Sequence, residues 1–270
     1  MSLLAGVVQM TSGADVAANL KRAGELIAEA ARRGAELAVL PENFALLADH
    51  ERAKFAVAES VPGDGPILTA MRAAARKHKI ALVLGGMPER VNERHVHNTC
   101  VYLDQSGEIA SVYRKIHLFD VAIPDGAEYR ESATVAPGTQ QPVVASTPWG
   151  GLGLSVCYDV RFPELYRALA QTGVRMIAIP AAFTLHTGRD HWHVLMRARA
   201  IENLSFVLAA AQYGRHNPKR VTYGHSLIVD PWGQVLAEVG DKEGVAVAEL
   251  DFAYQDQVRA QLPSLSHRRL

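Results

Sequence analysis

The chain has 270 residues, with 28 Lys plus Arg balancing 28 Asp plus Glu, so its formal net charge is zero. Hydrophobic residues make up 49% and charged residues 21%, which excludes disorder as the dominant state and supplies a large core without disulfides or metals. The lack of a basic excess argues against nucleic acid or an anionic membrane as the main partner, and only two cysteines, Cys100 and Cys157, exclude a disulfide framework or a Cys-rich zinc site.

Apolar and polar segments then alternate as strand and helix. Leu3 to Met10 reads as a buried strand. Helical spacing follows at Val16, Leu20, Ala23, Leu26, Ile27 and Ala30, and Gly34 stands where a helix ends. Leu37 to Leu40 reads as a short strand stopped by Pro41, Ile67 to His78 as a helix, and Ile80 to Leu84 as a strand broken by Gly85 and Gly86. Val96 to Leu103 and Ile109 to Tyr113 read as a hairpin across Asp104-Gln105-Ser106-Gly107. Leu152 to Val156 is a further buried strand, and Pro163 to Gln171 a helix with proline at its first position and Gly173 past its end. Arg175 to Ile179 reads as strand, His191 to Asn203 as helix, and Phe206 to Ala211 as strand. A second hairpin joins Ser226–Val229 to Val235–Val239 through Asp230-Pro231-Trp232-Gly233, and Gly244 to Leu250 is the last strand. The polar stretch from Asp251 to Leu270 reads as a tail.

No linker or repeat interrupts this order, so one domain over residues 1–270 is expected, with mixed sheets covered by helices. The N-terminal residues lack the basic and long apolar segments of a signal peptide, and no run of about 18 apolar residues occurs. No membrane span is therefore expected, and a reducing cytoplasm is the expected location.

Three strand ends carry reactive side chains, the place where working residues gather in α/β sheets. They are Leu40-Pro41-Glu42-Asn43, Tyr113-Arg114-Lys115-Ile116-His117, and Ser155-Val156-Cys157-Tyr158-Asp159. A helix N-terminus or a cation beside Cys157 would lower its pKa and favour thiolate. Cys100, in mid-strand, fits an inert buried cysteine. Taken singly, Glu42 is an ordinary loop carboxylate and Lys115 an edge-strand lysine. Taken together, they supply a thiol nucleophile, a base and a cation for an oxyanion. Composition leaves a cysteine–histidine pairing open, since there are 11 histidines. His191 and His193 stand two apart on an expected helix, so their rings diverge; they read as packing or surface groups and no metal site is expected.

These segments, with Arg161, Phe162, Pro163 and Glu164 continuing the third, resemble the nitrilase superfamily of carbon–nitrogen hydrolases, and the resemblance covers nearly the whole chain. It implies a four-layer α-β-β-α sandwich, usually assembled as dimers or larger oligomers. The helix from Pro163 and the last 15–20 residues are the expected contact elements. It implies a catalytic triad of Glu42, Lys115 and Cys157, with Glu131 positioning the lysine and no cofactor. The segments Arg197 to Glu202, Ala210 to Arg220, Tyr223 to Ser226 and Asp230 to Gly233 are similar to the Nit branch.

That branch implies an amidase for deaminated glutathione, expected here to split a primary amide into acid and ammonia through a cysteine thioester. Glu42 acts as base, while Lys115 and the backbone N–H of Tyr158 hold the oxyanion. An ω-amidase for α-ketoglutaramate shares the same residues and is the alternative. A true nitrilase and a non-catalytic scaffold are weaker readings, since the finer motifs favour the amidases and the triad is intact. Arg161 either grips a substrate carboxylate or pairs with Glu164 or Asp159. Phe183 and Thr187 match positions that line the pocket in such enzymes, although Phe183 also suits core packing.

Overall fold

A computed structural model describes residues 2–122 and 128–269. The first half runs β1 (Ser2–Gln9), α1 (Val16–Arg32), β2 (Leu37–Val39), α2 (Ala53–Val57), α3 (Pro66–His78), β3 (Ala81–Arg90), β4 (Val96–Leu103) and β5 (Ile109–Arg114). A small antiparallel pair, β6 (Asp120–Ala122) and β7 (Glu128–Arg130), leads to β8 (Val143–Thr147), β9 (Gly150–Leu154), α4 (Pro163–Gln171), β10 (Met176–Ala178), α5 (Leu185–Asn203) and β11 (Phe206–Ala209). The chain closes with β12 (Tyr213–Asn217), β13 (Arg220–Tyr223), β14 (Leu227–Val229), β15 (Val235–Glu238), β16 (Gly244–Asp251) and α6 (Phe252–Gln261).

Two six-stranded sheets result, in the orders β16-β1-β2-β3-β4-β5 and β15-β14-β11-β10-β9-β8. Each has three parallel strands at its centre, β1–β2–β3 and β9–β10–β11, flanked by antiparallel strands. The period-two alternation of a strand assigns its faces. Leu3, Ala5 and Val7 of β1 enter the core shared with Leu152, Leu154, Met176 and Leu208 of the second sheet. Val8, Ala38 and Leu82 face the other way, onto Ala23, Leu26 and Ile27 of α1 and Leu68 and Met71 of α3. Tyr166 and Leu169 of α4 and Trp192 and Met196 of α5 cover the second sheet. The layers are therefore α-β-β-α, the expected sandwich.

Local chemistry sets the helix ends. Asp15 caps α1 by accepting from the Ala18 N–H, and Gly34 follows at φ +88°, where glycine costs least. Proline opens both α3 and α4.

Three expectations needed correction. β3 does not stop at Leu84; it continues to Arg90 through a bulge at Gly85 and Gly86. α5 begins at Leu185, six residues before the expected start, because Thr184 caps it through the Thr187 N–H. The expected tail begins with a docked helix. Asp251 caps α6, Phe252 and Val258 are buried, and the Gln255 amide donates to the carbonyls of Arg175 and Leu204. A glutamine at the centre of the buried face hides this helix from a hydrophobicity reading. Among the described residues no helix is long and apolar enough to cross a membrane.

Candidate active site

Glu42, Lys115 and Cys157 come from three different strand ends and line one cavity of about 460 Å³. Glu42 leaves β2 through Asn43, whose φ of +59° an asparagine tolerates and whose N–H donates to the Gly86 carbonyl at 3.0 Å. Lys115 directly follows β5 and its N–H donates to the Asn98 carbonyl at 2.9 Å. Cys157 opens a tight helical turn after β9 at φ +49°, with its N–H held by the Pro180 carbonyl at 2.8 Å. A left-handed non-glycine residue stores strain of about 1–3 kcal/mol, and such strain concentrates at working sites.

The buried Lys115 ammonium bridges two carboxylates, reaching Glu42 Oε1 at 2.9 Å and Glu131 Oε2 at 2.8 Å. Asn98 spans the same pair, donating from Nδ2 to Glu42 Oε1 at 2.9 Å and Glu131 Oε1 at 3.1 Å. The second Glu42 oxygen accepts from the Ala182 N–H at 3.0 Å, and the Phe119 N–H donates to Glu131 Oε2 at 2.7 Å. An ammonium has three donors, so two engaged carboxylates leave one proton for another acceptor. As the second residue of its helical turn, Tyr158 has an N–H with no acceptor inside that turn.

Electrostatics follow from this packing. Burial alone would push the Lys115 ammonium down, but Glu131 and Glu42 outweigh it and hold the pKa well above the usual lysine value. Burial would likewise raise the Glu131 carboxyl, and Lys115 reverses it, leaving it below its ordinary value. The Cys157 thiol goes the other way. Burial and then the Glu42 carboxylate push its pKa up, with Lys115 opposing only in part. Burial and Glu42 thus outweigh the neighbouring cation that by itself would favour thiolate. Cys100 is buried in the core and burial raises its thiol as well, in keeping with an inert role.

Sequence reasoning missed the parts that hold this cluster. Asp159 is fully buried and accepts from the Tyr113 hydroxyl, the Val156 N–H, the His117 N–H and His117 Nδ1 at 2.7, 2.8, 3.1 and 2.7 Å. It joins the loop of Lys115 to the turn of Cys157. Gly85 lies so close to Pro180 and the Leu40 carbonyl that a Cβ would stand 2.1 and 2.2 Å from them. The bulge therefore brings the Glu42 loop beside the carbonyl that anchors Cys157. A buried polar residue within an apolar strand, as Asn98 is in β4, was the one available signal for these supports.

The same cavity is also lined by Arg161, Phe183 and Thr187. Arg161 pairs with neither Glu164 nor Asp159; its guanidinium lies 3.3 Å from His191 Nδ1 and packs against the Phe183 ring, 5.2 Å from its centroid. Among the described residues no carboxylate lies within ion-pair distance of it. Phe183 also packs edge-on against Trp192 at 5.0 Å, so it serves both core and wall. The Thr187 hydroxyl is 2.9 Å from that of Thr184. Arg220, given no role by the sequence, also lines the cavity; it lies over the Tyr129 ring at 4.8 Å and donates to the Ala182 carbonyl at 2.8 Å.

Residues 4–260 match the carbon–nitrogen hydrolase family model. The chain is similar to the deaminated glutathione amidase of Synechocystis, 46% identical over 98% of this chain and 97% of that protein. Its fold is similar to the Caenorhabditis elegans NitFhit protein, with TM-score 0.93 and 41% identity over 99% of this chain; the chain spans only 65% of that longer protein. It is also similar to Saccharomyces cerevisiae Nit3, with TM-score 0.88 and 31% identity over 97% of this chain and 94% of that one. The chain belongs to the carbon–nitrogen hydrolase family. Within it, the chain is an amidase-type hydrolase of the Nit branch.

Proposed function

We propose that this chain hydrolyses deaminated glutathione through a thioester on Cys157, with Glu42 as base and Lys115 as oxyanion donor. The observation that carries this reading is the buried Lys115 bridge between Glu42 and Glu131 in the cavity of Cys157. Glu42 takes the thiol proton as sulfur attacks the amide carbonyl. The third Lys115 proton and the Tyr158 N–H bind the resulting oxyanion; one such donor is worth about 3–4 kcal/mol. The tetrahedral adduct collapses, and Glu42 returns the proton to the leaving nitrogen. Glu42 then activates a water that attacks the thioester, releasing the acid and restoring the thiol. Glu131 positions Lys115, and no step calls for a cofactor.

The leaving group differs from the sequence expectation. Deaminated glutathione is glutathione with its α-amino group replaced by oxygen, so both its amides are secondary and neither yields ammonia. Cleavage of the γ-amide releases the dipeptide amine. α-Ketoglutaramate carries the same acyl group on a primary amide and does release ammonia. The two substrates therefore share one acyl-enzyme and one acid product, and differ only in the leaving group. Arg161, with Phe183 and Thr187 beside it, is the proposed anchor for the carboxylate of that acyl group. The likeness to the Synechocystis amidase and the volume of the cavity favour the larger substrate.

Release of the keto acid is measured from both substrates in parallel, with Cys157→Ala as control. A higher kcat/KM for deaminated glutathione is expected. Preference for α-ketoglutaramate would move the chain to the ω-amidase reading, and turnover by folded Cys157→Ala would overturn the nucleophile.

A homo-oligomer belongs to this reading. Val194 and Ile201 of α5, Trp232 and Leu236 are large apolar side chains 66, 43, 53 and 41% exposed. They lie on α5 and the hairpin β14–β15, an apolar face suited to a second copy. Sedimentation of Val194→Lys and Trp232→Glu tests this face, and association that survives both substitutions would favour the expected contacts through α4 and the C-terminal residues. A cytoplasmic location also belongs to it, because oxidation of Cys157 would remove the nucleophile.

A further inference from the structure

We propose that His193, His225 and Glu238 form a binding site for a divalent transition metal, zinc above others, that clamps α5 to the hairpin β14–β15. His193 lies on α5, His225 just before β14, and Glu238 at the end of β15. One ligand atom from each lies within 4.8 Å of the other two. His193 Nε2 is 3.0 Å and His225 Nδ1 is 2.6 Å from the same oxygen, Glu238 Oε1. Ligands about 2.0–2.1 Å from a tetrahedral zinc sit a little over 3 Å apart, so small side-chain adjustments suffice.

The other nitrogen of His225 adds an independent argument. Its Nε2 lies 3.3 Å from Asp241 Oδ1. A metal-bound imidazole commonly donates its remaining N–H to a carboxylate, which fixes the tautomer. With the hydrogen on Nε2, the Nδ1 lone pair points at Glu238 Oε1. In that tautomer a cation, proton or metal, is what joins Nδ1 to Glu238 Oε1, and a metal there would replace the proton that otherwise bridges them. The His193 nitrogen turned to the same oxygen is a third acceptor for that cation. Two imidazoles and one carboxylate suit zinc, whereas calcium and magnesium favour all-oxygen sets.

The ligands are held before any metal arrives. The His225 carbonyl accepts from Trp192 Nε1 at 2.7 Å, and its ring stacks on Tyr223 at 4.4 Å between centroids. In the single chain the three ligand side chains are 34, 21 and 31% exposed, so a metal can enter before a second copy covers α5 and the hairpin. Trp192 also packs on Phe183 of the cavity wall, and the clamp therefore supports that wall from outside. Its role is structural: none of its three ligands lines the cavity of Cys157. His191 diverges toward Arg161, as its spacing from His193 predicts, and takes no part in the site.

The test uses tag-free, chelator-treated protein carrying Cys157→Ala, so that neither a tag nor the thiol binds metal. Calorimetric titration with zinc is expected to give one equivalent per chain, with a Tm that rises with zinc concentration by mass action. Bound cobalt is expected to show the intense visible bands of a tetrahedral site. His225→Ala and Glu238→Gln are expected to weaken binding at least tenfold, and His191→Ala to leave it unchanged. Should His225→Ala fail to fold by circular dichroism, His193→Gln supplies the same reading. Absence of zinc binding, or binding that survives both histidine substitutions, would overturn the site.

Discussion

Asp159 Oδ2 accepts from the Tyr113 hydroxyl at 2.7 Å, and this bond ties the strand that delivers Lys115 to the turn that delivers Cys157. The carboxylate has no direct place in the proposed chemistry. Its other bonds, to Val156 and His117, fix both ends of the same joint. Burial lifts the Tyr113 phenol far above its ordinary value, with Asp159 adding to the shift, so the hydroxyl stays a donor at every working pH. Asp159→Ala strands these donors in the core and is expected to cost about 3–5 kcal/mol. Tyr113→Phe is expected to cost about 1–2 kcal/mol, since it leaves one acceptor short of one bond. Urea denaturation of both variants checks the order, and equal stability of Asp159→Ala and wild type would remove the joint.

The two carboxylates on Lys115 are not equivalent. Glu42 raises the Cys157 thiol directly, while Glu131 bears on Lys115. Glu42→Gln is expected to lower kcat by about 10²–10⁴, the usual worth of a positioned base. Glu131→Gln keeps the base and loosens only the lysine, so a smaller loss is expected. Single-turnover measurement of thioester formation separates the two. The opposite ranking would give the base role to Glu131.

How far the sequence spoke depends on the range of the interaction. Hairpins, α1 and α4 were legible because Asp15, Gly34, Pro163 and Gly107 act on neighbours in sequence. Glu42, Lys115 and Cys157 were legible because each ends an apolar strand in a recognisable motif. Asn98 bonds to Glu42 across 56 positions, and Asp159 to Tyr113 across 46. Nothing local in the chain announces either partnership. The same holds for α6, whose buried Gln255 is polar because it serves carbonyls of distant elements.

Gly86 tests the bulge. Its φ is +69°, and a Cβ there would stand 2.4 Å from Asn98 Oδ1 and 3.1 Å from Glu42 Cγ. Gly86→Ala therefore displaces the amide shared by Glu42 and Glu131. A misplacement near 1 Å can cost about 10²-fold in rate, so kcat is expected to fall more than stability. Parallel kinetics and thermal unfolding check this. A variant with lowered Tm but wild-type kcat would show that the bulge only supports the fold.

His216 predicts an acid limb in stability. Burial lowers its pKa to about 4, the Ser12 carbonyl opposing in part. Its Nδ1 lies 2.7 Å from that carbonyl and its Nε2 2.6 Å from the Thr222 hydroxyl, the pattern of a neutral ring. Unfolded histidine titrates near ~6.5, so between that value and pH 4 the unfolded chain binds more protons. Stability is therefore expected to fall as pH drops through this window and to level off below it. His216→Gln is expected to flatten that limb. An unchanged slope in denaturation curves across the window would move the titration to another group.

Arg161 is the sharpest test of substrate chemistry. A guanidinium facing a cavity among aromatic rings, 3.3 Å from a histidine nitrogen and with no carboxylate on it among the described residues, is poised for an anion that arrives with the substrate. A bidentate carboxylate contact is among the stronger hydrogen-bonded pairs. Losing such a charged contact is worth about 1.5–3 kcal/mol, or roughly 10–150-fold in kcat/KM. Arg161→Ala is expected to show that loss with α-ketoglutaramate and deaminated glutathione, and little loss with a neutral amide of similar size. Arg161→Lys is expected to recover only part of it, because an ammonium is a point charge without the planar fork. Equal losses on acidic and neutral amides would instead make Arg161 a wall residue, held by Phe183 and Tyr158, and would move carboxylate recognition to the second arginine of the cavity, Arg220.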